Sequence, residues 1–237
     1  MADPAGASRP RRAGASKSRA VLASTVPDPP AVVHITPATW KAGAALHRVH
    51  LDVYAAEAFN PGIKGNARFS PIVNAAGKPI PTLYGGTSFD CAAMETVFHD
   101  VPFAPGLKTY AKHKLEGQLH SVLATTAELT LADLRNVALR KLGVERKQMI
   151  DTEKDTYGQT RKWAAAIHAQ HGHIQGLCWT SPQDDSAMAV MLFGDRIWSG
   201  VLTRRGSSRA LLDDGPAYVE LLTSADMIGV RVVAGRA

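Results

Sequence analysis

Residues 81–100 read PTLYGGTSFDCAAMETVFHD, a stretch that predicts a strand end, a turn at the two glycines and a short helix. Glycine accepts the positive φ of a sharp turn, and Ser88 is a suitable N-cap for the helix. Helical spacing places Glu95 on the side of Cys91 and Ala92, where a ligand or a backbone segment can approach closely. A carboxylate on such a surface makes Glu95 the first candidate functional residue. The predicted core face consists of Phe89, Ala93, Val97 and Phe98.

The composition predicts one domain in a reducing compartment. A chain of 237 residues with 45% hydrophobic residues can form one sizeable core. Its two cysteines are too few for a disulfide framework, and no run reaches the roughly 18 apolar residues of a membrane span. The N-terminus also lacks the apolar segment of a signal peptide. We therefore expect a cytoplasmic protein without a membrane partner.

Residues 1–31 are expected to form a disordered basic arm, and residues 32–237 a single folded domain. Five basic and two acidic side chains in residues 1–30 give a net +3, half of the total charge of +6. The arm is rich in Ala, Ser and Pro and cannot bury enough apolar surface to fold. A nucleic-acid-binding arm is the alternative, although the aromatic residues that would stack on bases are absent from it.

Hydrophobic patterning predicts strands and helices without regular βαβ alternation, which favours an α+β fold around one or two small sheets. Thr36 and Pro37 indicate a helix start or a turn, and Thr130 an N-cap. Gly143 is expected to end the helix that Thr130 begins. The other predicted elements are strands at 44–53, 119–125, 174–179, 187–193 and 229–233, helices at 131–142 and 155–171, and loops at 60–70 and 203–217.

Several common chemistries lack their motifs in this sequence. There is no GxGxxG, GxxxxGK[ST], HExxH or GxSxG stretch, which argues against Rossmann, P-loop, zincin and α/β-hydrolase sites. His168, His171 and His173 have a spacing that could bind a metal, but the last two straddle a helix end and no carboxylate pattern accompanies them. No metal site is predicted. Cys91 could be a nucleophile, yet a packing role is favoured because no basic partner is evident.

Short motifs of this sequence, in their order along the chain, resemble those of one protein family. The motifs are HRVH, ARFSP, TLYGGTSFDCAAMETVFH and GLCWTS, and the family is the RES-domain family, named for its Arg, Glu and Ser. The Tyr-to-Glu spacing and the serine after an apolar strand end are the specific parts. The resemblance covers residues 44–200. Carried over onto this sequence, the family residues are Arg48 or Arg68, Tyr84, Glu95 and Ser181, with Ser186 as a weaker substitute for the last.

The resemblance implies a fold similar to ADP-ribosyltransferases and a bacterial toxin that breaks the nicotinamide–ribose bond of NAD+, with water or phosphate as acceptor. Transfer of ADP-ribose to a protein is the alternative activity, and a basic nucleic-acid-binding module is the non-enzymatic alternative. NAD+ is then a substrate, and no other cofactor is expected. The expected partner is an antitoxin of the small DNA-binding type, with residues 131–171 and 203–217 as candidate contacts and without direct nucleic-acid binding by this chain.

The implied chemistry suits these residue types. Nicotinamide leaves from an already cationic state, so the enzyme needs a carboxylate beside the oxocarbenium-like ribose rather than a general acid, a role for Glu95. The guanidinium of Arg48 or Arg68 can bind pyrophosphate through its planar fork. Tyr84 is expected to stack on nicotinamide, and Ser181 to hold Glu95 or the carboxamide in place.

Overall fold

The computed structural model describes residues 26–62 and 64–235. The strands are β1 (Pro37–Trp40), β2 (Ala45–Leu51), β3 (Thr82–Gly86), β4 (Lys108–Ala111), β5 (Gln118–Thr125), β6 (Leu129–Asp133), β7 (Gly176–Thr180), β8 (Met188–Phe193), β9 (Leu202–Ala210) and β10 (Val230–Val233). The α-helices are α1 (Phe89–Met94), α2 (Asn136–Leu142), α3 (Arg146–Met149), α4 (Tyr157–Gln170) and α5 (Gly215–Met227). Short 3₁₀ turns span Lys112–Leu115, Lys154–Thr156 and Gly194–Arg196.

Within the described residues, eight strands form one sheet in the order β1-β6-β7-β8-β3-β2-β5-β9. Its neighbours run antiparallel except β6 and β7, which are parallel. The separate pair β4 and β10 is parallel too. The predicted α+β class is confirmed, although its centre is one large mixed sheet rather than small sheets.

Two adjacent strands near the middle of the large sheet, β2 and β3, share the shortest stretch of pairing in the sheet. Strands β2 and β3 pair through a single residue pair, His47 with Gly86, whereas β2 and β5 pair along seven positions from Ala45 to Leu51. Beyond His47 the two strands diverge, and Arg48 on β2 and Tyr84 on β3 line the cavity between them. The cleft of the molecule therefore opens where the two halves of the sheet separate.

The two glycines of the opening stretch lie in β3 and not in a turn, so the predicted glycine turn is wrong. Neither Gly85 nor Gly86 has a positive φ. A Cβ on Gly85 would lie 2.7 Å from Leu46 Cδ1, and one on Gly86 would lie 2.5 Å from Cys91 Sγ. Glycine is required here because β2 and α1 approach the strand too closely for any side chain.

Helix α1 follows as predicted and ends at the candidate carboxylate. The Ser88 hydroxyl accepts a hydrogen bond from Cys91 N at 3.0 Å, which satisfies one of the free N–H groups at the helix start. Glu95 is the C-cap residue, so its side chain projects from the helix end. The predicted core residues Phe89, Ala93, Val97 and Phe98 are all buried.

Three other local predictions are wrong for reasons of tertiary pairing. The segment expected to begin a helix at Leu131 is β6, which pairs with both β1 and β7, and α2 starts at Asn136. Gly143 ends α2 as predicted, with a φ of +73°. The expected loop at 203–217 contains β9 and the start of α5, and Pro37 begins β1 instead of a helix or turn.

The packed chain begins no later than Val26, before the expected boundary at residue 32. Val26 is 7% exposed within the core. The Trp163 indole N–H donates to the Pro27 carbonyl at 2.7 Å, and Lys162 forms a salt bridge with Asp28 at 2.6 Å. Residues 1–25 lie outside the described part, so the disorder of the arm stays a prediction. Across residues 26–62 and 64–235, no helix is both long and apolar enough to cross a bilayer.

The largest buried cluster fixes the loop between β2 and β3 against α4 and the sheet. Trp163 on α4 and Trp179 on β7 are almost fully buried in it, together with Phe69 from the loop. The Phe69 and Trp179 rings meet edge to face at 5.1 Å. Burying each such side chain contributes about 1.5–3 kcal/mol. The anchoring of Phe69 positions its neighbour Arg68 at the cleft.

Candidate active site

The cleft has two adjoining chambers. The inner chamber has a volume of about 390 Å³, and Arg48, Tyr84 and Glu95 lie on its walls. The outer chamber has a volume of about 780 Å³ and includes Phe103 and Pro182 in its lining. The residues that line both chambers are Arg68, His99, Asp100, Lys154 and Tyr157. Both volumes lie within the range of small-molecule sites.

Glu95 is held by Ser181, which follows β7. The Ser181 hydroxyl donates to Glu95 Oε1 at 2.6 Å and accepts from the backbone N–H groups of Gln183 at 3.0 Å and Asp184 at 3.1 Å. One donated and two accepted bonds use the full capacity of a hydroxyl. Ser181 is fully buried and does not line either chamber, so it acts on Glu95 from behind. Glu95 itself faces the inner chamber.

The alternative serine lies apart from the carboxylate. Ser186 is exposed, and its hydroxyl donates to Asp184 Oδ1 at 2.6 Å within its own loop. Of the two candidate serines, the structure brings Ser181 to Glu95.

Arg68 is a buried cation between the two chambers. It is 7% exposed, and its Nη1 donates to Thr152 Oγ1 at 2.8 Å. The guanidinium lies over the Tyr157 ring at 5.1 Å from the centroid, a cation–π contact that orients the plane of the fork. The Arg68 carbonyl accepts a hydrogen bond from Thr160, which ties the loop to α4.

Arg48 is the second cation on the inner wall. Its Nη1 donates to the carbonyls of Ala56 at 2.5 Å and Ala58 at 2.8 Å, so it also holds the loop that follows β2. Burial lowers the pKa of Arg48 to about 10, which still leaves it charged at neutral pH. Both arginines that the sequence left as alternatives therefore lie in the cleft.

Neither arginine has a carboxylate partner. Among the described residues, no salt bridge involves Arg48 or Arg68, although nine other pairs occur. A buried charge without a counterion is costly unless something else compensates it. Hydrogen bonds to Ala56, Ala58 and Thr152 compensate these charges in part, and both guanidinium groups line the inner chamber, where they can bind an anionic ligand.

Tyr84 links the inner chamber to the loop that carries Arg68. Its hydroxyl accepts a hydrogen bond from Phe69 N at 3.2 Å, and burial raises the pKa of this phenol to about 12. The hydroxyl is therefore neutral at physiological pH. Its ring meets Trp179 edge to face at 6.3 Å. Tyr84 thus forms part of the chamber wall as a fixed, uncharged aromatic side chain.

The other candidate residues from the sequence, a cysteine and a histidine cluster, have structural contacts instead. Cys91 is fully buried under β3, and burial, together with the nearby Glu95, raises the pKa of its thiol to about 12. Such a thiol packs the helix, as the sequence favoured. His168 bonds Asp195 Oδ2 at 2.9 Å, and His171 bonds the Val33 carbonyl at 2.8 Å. Within the described residues, no group of three or more His, Cys, Asp or Glu side chains is arranged to hold a metal.

Sequence reasoning missed the polar group between the chambers. Lys154 forms a salt bridge with Asp100 at 2.6 Å, His99 Nδ1 bonds Asp100 Oδ1 at 2.7 Å, and Tyr157 contacts His99 through its hydroxyl at 3.3 Å. Asp100 and Lys154 are 54 residues apart, and neither lies in a recognisable motif. The hydrophobic pattern of α4 indicated a helix near Tyr157 but gave no sign of its contact with Arg68.

A known protein family matches most of this chain. The family model described as the RES domain matches residues 45–212, well over half of the chain. The chain belongs to the RES-domain family. All five residues that carry the resemblance in sequence lie in the matched region, and the RES fold brings four of them to one chamber with the fifth behind Glu95.

A solved structure supports the fold. A chain in the crystal structure of the M. tuberculosis MbcT–MbcA toxin–antitoxin complex aligns with a TM-score of 0.56 and 17% identity, covering 78% of this RES-domain chain and 92% of that chain. At this identity the likeness shows a shared fold. No curated protein matches the sequence.

Proposed function

We propose that this chain cleaves the bond between nicotinamide and ribose in NAD+, and that it is the toxin of a toxin–antitoxin pair. The observation that carries the proposal is the fixed carboxylate of Glu95, held by Ser181 at 2.6 Å, in a chamber whose walls carry two arginines that form no salt bridge within the described part of the chain. NAD+ combines the two groups such a site suits: a diphosphate, and a ribose that becomes cationic as it reacts.

In the proposed reaction the C1′–N bond of the nicotinamide ribose breaks, and its electron pair leaves with neutral nicotinamide. The positive charge that develops on the ribose is offset by the Glu95 carboxylate, which also accepts a hydrogen bond from the 2′-hydroxyl. Ser181 holds the carboxylate in place through the hydrogen bond that its hydroxyl donates to Glu95 Oε1. Water then adds at C1′ and releases a proton to solvent, or an anionic phosphate oxygen adds at C1′ directly.

The arginines bind and orient the substrate in this proposal. Arg68 binds the diphosphate with its forked N–H groups while Tyr157 fixes its plane. Arg48 adds positive charge on the β2 side of the inner chamber. Tyr84 supplies an uncharged aromatic wall against which the nicotinamide can stack.

A toxin that depletes NAD+ must be restrained by a partner. The MbcT–MbcA structure is a toxin–antitoxin complex, and the shared fold favours an antitoxin for this chain as well. A small DNA-binding antitoxin that covers the cleft is the partner we propose. The candidate contact segments are residues 131–171, which contain the end of β6 together with α2, α3 and α4, and residues 203–217.

The proposal is tested by incubating the purified chain with NAD+ in the presence and absence of inorganic phosphate and identifying the products. Release of nicotinamide with ADP-ribose indicates hydrolysis, and a phosphate-dependent ADP-ribose phosphate indicates phosphorolysis. Label that passes from NAD+ to a protein in a lysate, with little free product, would favour ADP-ribosyl transfer. An unchanged NAD+ pool under all three conditions would contradict the proposal.

A further inference from the structure

The outer chamber lies beyond the reacting centre but continues from it. Glu95 lines only the inner chamber, whereas Arg68 and Tyr157 line both chambers. The outer volume of about 780 Å³ exceeds the inner one of about 390 Å³, so a second ligand group of nucleoside size fits there.

The position of Arg68 orients a dinucleotide across the two chambers, if the proposed function holds. The diphosphate is the middle of NAD+, with one nucleoside at each end. When the nicotinamide ribose lies at Glu95 and the diphosphate at Arg68, the adenosine half extends into the outer chamber. Arg68 is suited to this central place because it lacks a carboxylate partner among the described residues.

Phe103 gives the outer chamber an unpartnered aromatic surface. It lines the chamber and is 88% exposed, the largest exposed fraction among the exposed large hydrophobic side chains of the described chain. Pro102 and Pro105 restrict the backbone on either side of it. A phenyl ring held at the mouth of a cavity offers a flat face on which a base can stack.

The charges of the outer chamber favour a neutral base over a further phosphate. Three carboxylates lie on its walls, those of Asp100, Asp151 and Glu153. Asp100 is paired with Lys154 at 2.6 Å and Asp151 with Arg146 at 3.1 Å, whereas Glu153 has no salt bridge among the described residues. The other cation of the lining, Arg68, is the group that binds the diphosphate in this orientation. A phosphate on the adenosine ribose would share this chamber with the uncompensated Glu153 carboxylate, which costs free energy.

We propose that the outer chamber binds the adenosine half of NAD+ with Phe103 stacked on the adenine, and that the Glu153 carboxylate makes the chain select NAD+ over NADP+. This inference rests on the proposed function for its orientation. It adds a specificity-determining aromatic residue and a basis for rejecting the 2′-phosphate.

The stacking contact is tested by calorimetric binding of ADP and of nicotinamide mononucleotide to the wild-type chain, Phe103→Ala and Leu107→Ala. Leu107 is the matched control, since it is 66% exposed near the same loop but lines neither chamber. Phe103→Ala is expected to weaken ADP binding about tenfold, as loss of base stacking does, and to leave nicotinamide mononucleotide unaffected. Equal effects on the two ligands, no effect on ADP, or the same loss in Leu107→Ala would overturn the inference.

The charge selection is tested by comparing NAD+ and NADP+ binding to the Glu95→Gln chain, alone and combined with Glu153→Gln. NAD+ should bind more tightly than NADP+. Removal of the Glu153 charge should lower the ratio of the NADP+ dissociation constant to the NAD+ dissociation constant about two- to fivefold. Equal affinities for NAD+ and NADP+, or an affinity ratio that Glu153→Gln leaves unchanged, would contradict the proposed selection of NAD+. Because these measurements need no turnover, a chain that failed to cleave NAD+ would refute the proposed function without deciding the binding result.

Discussion

The Ser181 hydroxyl donates a 2.6 Å hydrogen bond to Glu95 across 86 residues of sequence. Ser181 has no exposed surface, whereas Glu95 faces the inner chamber. The serine therefore cannot touch a ligand in this arrangement, and it acts by holding the carboxylate. Under the proposed function, Glu95 is the residue that meets the substrate, and Ser181 positions its carboxylate.

Ser181→Ala is expected to lower kcat by about 10- to 100-fold while KM changes little, the size of effect typical of a lost supporting contact. Two backbone N–H groups also lose their acceptor, at a cost of about 1–3 kcal/mol in the free energy of unfolding. Steady-state kinetics and urea unfolding measure the two effects. Ser186→Ala is the control, since that exposed hydroxyl contacts Asp184 alone in this structure. Equal kinetics for both alanine variants would show that Ser181 does not position Glu95.

Arg68→Lys is expected to raise KM for NAD+ by about tenfold, because a lysine loses both the bidentate fork and the stacking on Tyr157. The charge is retained, so the change isolates geometry from electrostatics. Arg161→Lys serves as the control, since Arg161 binds the Ala67 carbonyl of the same loop but lines neither chamber. A KM unchanged in Arg68→Lys would remove this arginine from substrate binding.

Gly86→Ala is expected to destabilise the fold by about 1–3 kcal/mol or more, because its Cβ would overlap Cys91. Gly158→Ala is the matched substitution in open space, where no described atom outside its chain neighbours and the adjacent helix backbone lies within 4 Å of the added carbon. It sits inside α4 and should stabilise by about 0.5–1 kcal/mol. Thermal and chemical unfolding compare the two. A stable Gly86→Ala would refute the close approach of β3 and α1.

Both cysteines are expected to resist thiol reagents in the native protein. Burial raises the pKa of Cys91 and of Cys178 to about 12, so the thiolate is scarce at pH 8 and is also inaccessible. Labelling with a disulfide reagent should begin when urea unfolds the chain, and Cys91→Ala should retain turnover. Rapid native labelling at Cys91, or loss of turnover without loss of fold, would return it to the catalytic candidates.

The sequence predicted the elements whose pattern is local. Strand β2, helix α4 and the Ser88 cap follow from alternation, helical periodicity and a polar residue at a helix start. Strand β6 was missed because its leucines also fit a helix, and pairing with β1 and β7 decided the outcome. Strand β9 was missed because it lies at the sheet edge and is mostly polar, so no apolar alternation marks it.

The sequence grouped the candidate site residues but did not predict how they are arranged. The family motifs grouped Arg48, Arg68, Tyr84, Glu95 and Ser181, which no local pattern could connect. Sequence left two roles open for Ser181, and burial favours the one that holds Glu95. It also left a choice between the arginines, although both line the inner chamber. The pair of Asp100 and Lys154 was invisible, because contacts between loops follow from the fold and not from spacing.

The central claim is that the Glu95 carboxylate drives loss of nicotinamide from NAD+, and nicotinamide release by Glu95→Gln measured against wild type tests it most directly. Glutamine keeps the size of the side chain and an oxygen that can accept from Ser181, so unfolding and NAD+ binding should be nearly unchanged. Release of nicotinamide should fall at least about 100-fold, because the charge that offsets the ribose cation is gone. A folded Glu95→Gln that releases nicotinamide at the wild-type rate would contradict the account.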